Sequence, residues 1–224
     1  LPNGDIYIKK HMDGVIFAGE VDIRVIEEFR KQSIPVVLVN NYLDMDGLVC
    51  ISADHYGGAV QATEYLCKLG HCKIGLLSGR FSPQVSEARI EGFVKTLAKY
   101  DIPVDDRFIA DIEPALEDGE EIMTRMLRGV DRPTAFFCTN DTIAAGAMKA
   151  VTRAGLRVPE DIAIIGFDDS YISRVVEPEL TTVRIDAAKM GCLAMQTLFD
   201  LIAGMPVEKA HIQIPTELIV RGTA

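Results

Sequence analysis

Ile164-Ile165-Gly166-Phe167-Asp168-Asp169 is a short apolar run that ends abruptly in two carboxylates, and Phe136-Phe137-Cys138-Thr139-Asn140-Asp141 upstream has the same form. A run rich in β-branched and aromatic side chains, stopped by polar residues, reads as a parallel strand covered on both faces. Open α/β sheets bind ligands outside the carboxyl ends of their strands. Two such ends predict a pocket lined by Asn140, Asp141, Asp168 and Asp169. Carboxylates and carboxamides make directional hydrogen bonds, so the pocket suits a small molecule rich in hydroxyls or amines.

Working outward, strands are expected at 15–18, 34–39, 50–51, 73–77, 108–109, 134–139, 162–167 and 212–220. Helices are expected between them, at 21–32, 55–69, 85–99, 117–128, 142–154 and 187–203. Gly70, Gly155 and Gly204 stand just past three of these helices, where a helix C-terminus favours glycine. Strands alternating with helices mean βαβ units, a parallel sheet and helices on both of its faces. The first convincing strand starts only at Val15, so a doubly wound sheet beginning there is short on one side and the chain reads as the back part of something larger.

The 224 residues are enough for one large or two small domains, and 48% hydrophobic with 25% charged residues is ordinary for a globular chain. The net charge of −10 opposes contact with nucleic-acid phosphates, and the basic patch Lys9-Lys10-His11 is too short to offset it. No apolar run approaches the roughly 20 residues of a membrane span. Five cysteines, an odd number in a chain too large to need cross-links, point to a reducing compartment, the cytoplasm. Cys67, His71 and Cys72 lie close together but lack a second ligand pair, so no metal is expected. Enzymatic activity is not expected either. Asp168 and Asp169 are adjacent on a strand end and diverge, so they do not flank one bond as acid and base. The loop Ser78-Gly79-Arg80-Phe81 lacks the full dinucleotide fingerprint, and no cofactor is expected.

Several motifs then come together in order: Leu69-Gly70-His71, Glu87-Ala88-Arg89-Ile90-Glu91-Gly92-Phe93, Arg132-Pro133-Thr134-Ala135, Thr139-Asn140-Asp141 and Ala145-Gly146-Ala147. Gly155-Leu156-Arg157-Val158-Pro159-Glu160-Asp161, Gly166-Phe167-Asp168-Asp169 and Leu180-Thr181-Thr182-Val183 follow. Together, over about 13–222, the chain resembles the effector domain of the lactose-repressor/galactose-repressor (LacI/GalR) family of transcriptional regulators. The resemblance implies an α/β fold of two doubly wound parallel-sheet subdomains, periplasmic-binding-protein-like, joined by three crossovers near 53–54, 183–184 and 214–215. The N-terminal subdomain, incomplete in this chain, would hold 1–53 plus 184–214, and the C-terminal subdomain 54–183 plus 215–224. A sugar or sugar-like effector, ahead of a purine, would bind in the cleft between them. The resemblance further implies a homodimer, and operator DNA contacted only through an N-terminal helix-turn-helix domain that this sequence does not include. The alternative is a periplasmic sugar-binding protein of a transport system, with the same fold.

The ligand-binding candidates are Asn40, Arg89, Asn140 and Asp168. Arg89 matches an effector-contacting position of the family, and a guanidinium offers a rigid fork for adjacent hydroxyls or a carboxylate; its alternative is a surface salt bridge to Glu87 or Glu91. Asp168 either contacts ligand or caps the turn at Ser170, a role that suits Asp169 better. Asn140 or Asp141 could simply cap the following helix. Asn40 ends the strand before it and would face the cleft from the other subdomain. The family places aromatics in its cleft near positions matching Pro114 and Ala187, which are not aromatic here; Phe81 and Tyr42 are the substitutes. Tyr171, Ile172, Val175 and Val176 form an apolar cluster expected at the dimer interface.

Overall fold

The computed structural model describes residues 12–41, 43, 45–129, 131–207 and 210–224; the Lys9-Lys10-His11 patch and Tyr42 lie outside them. The elements in chain order are β1 (Val15–Ala18), α1 (Ile23–Lys31), β2 (Val36–Val39), β3 (Val49–Ala53), α2 (His55–Lys68), β4 (Ile74–Gly79), α3 (Pro83–Lys99), β5 (Ile109–Ile112) and α4 (Leu116–Met126). Then come β6 (Ala135–Cys138), α5 (Asp141–Arg153), β7 (Ala163–Asp168), a 3-10 turn at Tyr171–Arg174, β8 (Thr181–Arg184), α6 (Ala187–Ile202), β9 (His211–Ile214) and β10 (Glu217–Ile219). Contacts divide the chain into two units. One holds the described residues up to Ala53 with Asp186–Ile214, and the other holds Asp54–Ile185 with Pro215–Ala224.

The smaller unit is a parallel sheet in the order β1-β2-β3-β9. Asp22 caps α1 by accepting from the Arg24 backbone N–H, and Ile26 and Phe29 are the buried face of that helix. They pack with Val36, Leu38, Leu48 and Cys50 in one core cluster, with Phe17 edge-on to Phe29. α6 packs on β1, β2 and β3 through Met190, Ala194 and Leu198.

The larger unit is a six-stranded sheet ordered β10-β8-β7-β6-β4-β5, parallel except for β10, which runs antiparallel to β8 at one edge. Successive side chains of a strand point to opposite faces, and the two cores show it. Phe137, Ala163, Ile165 and Phe167 join the α2/α3 cluster, whereas Phe136, Cys138 and Ile164 join the α4/α5 cluster. The sheet is therefore doubly wound, as the continuous apolar runs predict. Glycines let both helix pairs come close: a Cβ on Gly92 would lie 2.7 Å from the Tyr56 carbonyl oxygen, and one on Gly146 would overlap the Leu116 carbonyl oxygen.

Two elements depart from the sequence reading. The strand expected over 212–220 is two strands in two sheets, because Pro215 interrupts it where the chain leaves the smaller unit for the larger. β8 was not recognised as a strand: four residues with two threonines carry too little apolar pattern, yet Thr181, Thr182 and Val183 are all buried. The chain crosses into the smaller unit after Ile185, so Arg184 is paired in the larger sheet, opposite Asp168 and Glu217.

Candidate functional site

The larger sheet reverses its winding between β4 and β6, since β5 lies on one side of β4 and β6, β7 and β8 follow on the other. Such a switch point opens a crevice at the carboxyl ends of the two strands. Here the ends are tied together: the Gly79 backbone N–H donates to Thr139 Oγ1 at 2.7 Å. After β4 the chain turns through Phe81 and starts α3 at Pro83, with Ser86 Oγ accepting from the Phe81 N–H at 3.1 Å. The first two turns of α3 bring Arg89 back over the strand ends.

Arg89 is 3% exposed. Its guanidinium donates to the Thr139 carbonyl oxygen just past β6, to His55 Nδ1 at 3.2 Å and to Asp168 Oδ1 at 3.1 Å. The ring of Phe167 lies 3.9 Å from the guanidinium carbon and that of Phe81 5.0 Å, so cation–π contacts add to the hydrogen bonds. Burial lowers the proton affinity of Arg89 and the Asp168 carboxylate raises it again. The surface-salt-bridge alternative is not what forms: Glu91 pairs with Lys95 at 2.5 Å instead.

Asp168 closes β7 in a left-handed backbone conformation, φ 105°, and Asp169 follows at φ 50°. That region is costly for residues other than glycine. Two opposed sets of ion pairs accompany the turn. Asp168 turns to Arg89 and keeps 36% of its side chain exposed, and burial pushes its carboxyl upward against the pull of Arg89. Asp169 turns the other way, into a pocket of arginines: Arg221 at 2.5 Å, Arg184 at 2.7 Å and Arg174 at 3.4 Å. Burial alone would raise the Asp169 pKa, but Arg221, Arg184 and Ser173 outweigh it and hold the carboxyl down at about 2.

Asp169 is therefore an ion-pair hub and not the cap of the turn at Ser170. The carboxylate that receives the Ser170 backbone N–H, at 2.6 Å, is Asp141, which also accepts from the Thr182 hydroxyl at 2.5 Å. Burial pushes the Asp141 carboxyl up to about 6, partly offset by those two hydrogen bonds.

Asn140 is the N-cap of α5: its Oδ1 accepts from the Ile143 N–H at 2.7 Å, leaving Nδ2 as its remaining hydrogen-bonding group. Asn40, at φ 51° past β2, spends its Oδ1 the same way, on the Ala53 N–H at 3.1 Å. Arg89, Asn140 and Asp168 thus share one unit, with Thr139 and Asn140 adjacent in the chain, while Asn40 belongs to the smaller unit. Sequence reasoning missed His55, Ser78 and Ser82. Each is buried and, with Arg89 Nε, leaves a side-chain atom without a partner: His55 Nε2, Ser78 Oγ and Ser82 Oγ. The only signal was the position of each at a strand end or the first turn of a helix.

The apolar cluster after β7 divides. Tyr171 and Val175 are 82% and 54% exposed, whereas Ile172 is half-buried and Val176 packs against the α4/α5 core. Among the described residues no group of three His, Cys, Asp or Glu side chains is placed to hold a metal ion, and no helix is long and apolar enough to cross a membrane.

A doubly wound sheet with a polar, arginine-anchored switch point, paired with a second parallel α/β unit, is the architecture of a ligand-binding domain. Residues 63–224 match the periplasmic binding protein-like domain. The "Probable HTH-type transcriptional repressor ExuR" of Bacillus subtilis is 34% identical over 99% of this chain and 67% of its own length. A regulatory protein of the LacI family from Chloroflexus aggregans is 31% identical, with a TM-score of 0.86 over 94% of this chain and 76% of that one. A transcriptional regulator CelR–cellobiose complex is 26% identical, with a TM-score of 0.88 over 96% of this chain and 67% of that one. The chain belongs to the LacI family of transcriptional regulators. It spans about two thirds of the length of the curated relatives it matches. Those relatives are named as HTH-type transcriptional repressors.

Proposed function

We propose that this chain is the effector-sensing part of a transcriptional regulator and that it binds a sugar or sugar-like polyol through Arg89, Asp168, Asn140 and Asn40. The observation that carries the reading is Arg89, a buried cation whose guanidinium lies over the Phe167 ring at the sheet's switch point and is joined to the partly exposed carboxylate of Asp168. An arginine–aspartate pair offers donors and acceptors side by side, the pattern that adjacent hydroxyls match. The Nδ2 groups of Asn140 and Asn40 add donors. The cellobiose-bound and ribose-bound structural neighbours support a sugar. Binding would act by favouring one conformation of the protein over another, and so would shift their populations.

The same reading makes the protein a cytoplasmic homodimer joined through Tyr171 and Val175. It assigns operator DNA to sequence outside these 224 residues, because a net charge of −10 opposes phosphate contact. A thermal-shift screen of mono- and disaccharides, with cellobiose and D-ribose included and purines as controls, tests the effector class. A ligand that binds only the folded state raises its melting temperature. Arg89→Ala should remove the shift given by any sugar that binds the wild type. A purine hit with no sugar hit refutes the sugar assignment, and a sugar shift unchanged in Arg89→Ala refutes the site.

A further inference from the structure

His55 is the first residue of α2, directly after the N-cap Asp54, and is 5% exposed. Its ring lies tilted against Phe167, centroids 6.1 Å apart. A histidine in that place is an expensive way to fill space: Nε2 is buried with no partner, and an unsatisfied buried polar atom calls for an explanation. The explanation lies on the other side of the ring. Nδ1 sits 3.2 Å from the Arg89 guanidinium, which has only donors. Nδ1 must therefore be the acceptor, and the proton of the neutral ring belongs on Nε2.

Three acceptors then surround Arg89: the Thr139 carbonyl, His55 Nδ1 and Asp168 Oδ1. They are not equivalent. Thr139 and His55 are buried, whereas Asp168 keeps 36% of its side chain exposed. Asp168 is the one partner free to change its hydrogen bonds when a ligand arrives.

We propose that His55 is a positioning residue, whose neutral Nε2–H ring uses Nδ1 to hold the Arg89 guanidinium over Phe167 while Asp168 exchanges partners. The inference rests on the reading of Arg89 as ligand anchor, but the placement of the guanidinium is measurable without ligand. Burial, and then the charge of Arg89, hold the imidazole pKa down to about 3, so the accepting form persists at neutral pH. Protonation would set donor against donor and cation beside cation.

The test compares His55→Phe, which keeps a ring and removes the acceptor, with His55→Asn, whose Oδ1 can stand where Nδ1 stood. Long-range 1H–15N correlation on the wild type reads the tautomer. The Arg89 Nε–H resonance, identified by its loss in Arg89→Lys, reads the guanidinium, and its solvent exchange rate reads how firmly it is held. The expected results are an unprotonated Nδ1, an Arg89 exchange rate raised at least about tenfold in His55→Phe, as losing a hydrogen bond from a charged group predicts, and a return toward the wild-type rate in His55→Asn. A protonated Nδ1 overturns the proposal, even if His55→Phe fails to fold. So does an Arg89 signal unchanged in His55→Phe, or one that His55→Asn fails to restore. None of these readouts involves a sugar. A screen without a sugar hit therefore bears on the proposed function alone, and a wild-type Arg89 signal in His55→Phe bears on the positioning role alone.

Discussion

Replacing Asp141 by asparagine should stabilise the protein at neutral pH and leave it unchanged in acid. The Asp141 carboxyl is 1% exposed, and burial raises its pKa from 3.8 to about 6. The folded state thus holds this proton more tightly than the unfolded chain does, and unfolding in the interval between the two values releases it. Stability therefore falls as pH rises from about 4 to 6, the reverse of the usual carboxylate behaviour. A shift of about 2 units, at 1.36 kcal/mol per unit, makes the ionised carboxylate cost about 3 kcal/mol above pH 6. Asparagine can keep both hydrogen bonds, with Oδ1 accepting from the Ser170 N–H and Nδ2 donating to a rotated Thr182 hydroxyl. Asp169 does not blur the comparison. Its pKa is depressed to about 2, so the stability it contributes is complete above pH 4 and is lost only as pH falls toward 2. Urea unfolding of the wild type and Asp141→Asn at 25 °C, from pH 4 to 8, gives the difference directly, and titrations common to both proteins cancel. The variant should match the wild type near pH 4 and exceed it by about 3 kcal/mol at pH 7. A difference that is constant over this range, or that grows toward acid, would refute the reasoning.

Asn140→Ala should cost about 1 kcal/mol through loss of the α5 cap, while Asn140→Asp retains most of it; equal losses in denaturant melts would rule out the capping role. Gly146→Ala should destabilise by about 1–3 kcal/mol despite the better helix propensity of alanine, because the new Cβ meets the Leu116 carbonyl oxygen and the Glu120 nitrogen; a raised urea midpoint would contradict the close approach of α4 and α5. Tyr171→Asp with Val175→Asp should yield monomers in sedimentation that keep the wild-type circular dichroism spectrum, since both side chains are exposed on the single chain; dimers that persist move the interface elsewhere. Charges at Ile172 and Val176 should instead lower the melting temperature, because these two are partly buried.

What the sequence determined by itself is what depends on neighbours along the chain. The apolar runs 134–139 and 162–167 read as buried strands, and their alternation with amphipathic stretches implied a parallel sheet with helices on both faces. Gly70, Gly155 and Gly204 marked helix ends because only a left-handed residue fits there, and all three have φ between 72° and 89°. The same locality explains the errors. β8, with two threonines in four residues, carries too little apolar pattern to stand out, and the split of 212–220 at Pro215 depends on which sheet each half can join. In the site, Asp168 and Asp169 are indistinguishable by sequence, two carboxylates at one strand end. Only the tertiary structure separates them, because Arg89 lies 79 residues from Asp168 and Arg221 lies 52 residues from Asp169. His55 and Thr139 had no signal at all as partners of Arg89, being brought to it from different elements by the packing of α2, α3 and β6. The identity of a strand is written in its own periodicity, whereas the charge, protonation and partners of a buried polar group are set by whatever distant residues the fold carries to it. In the low dielectric of the interior those partners decide the energy.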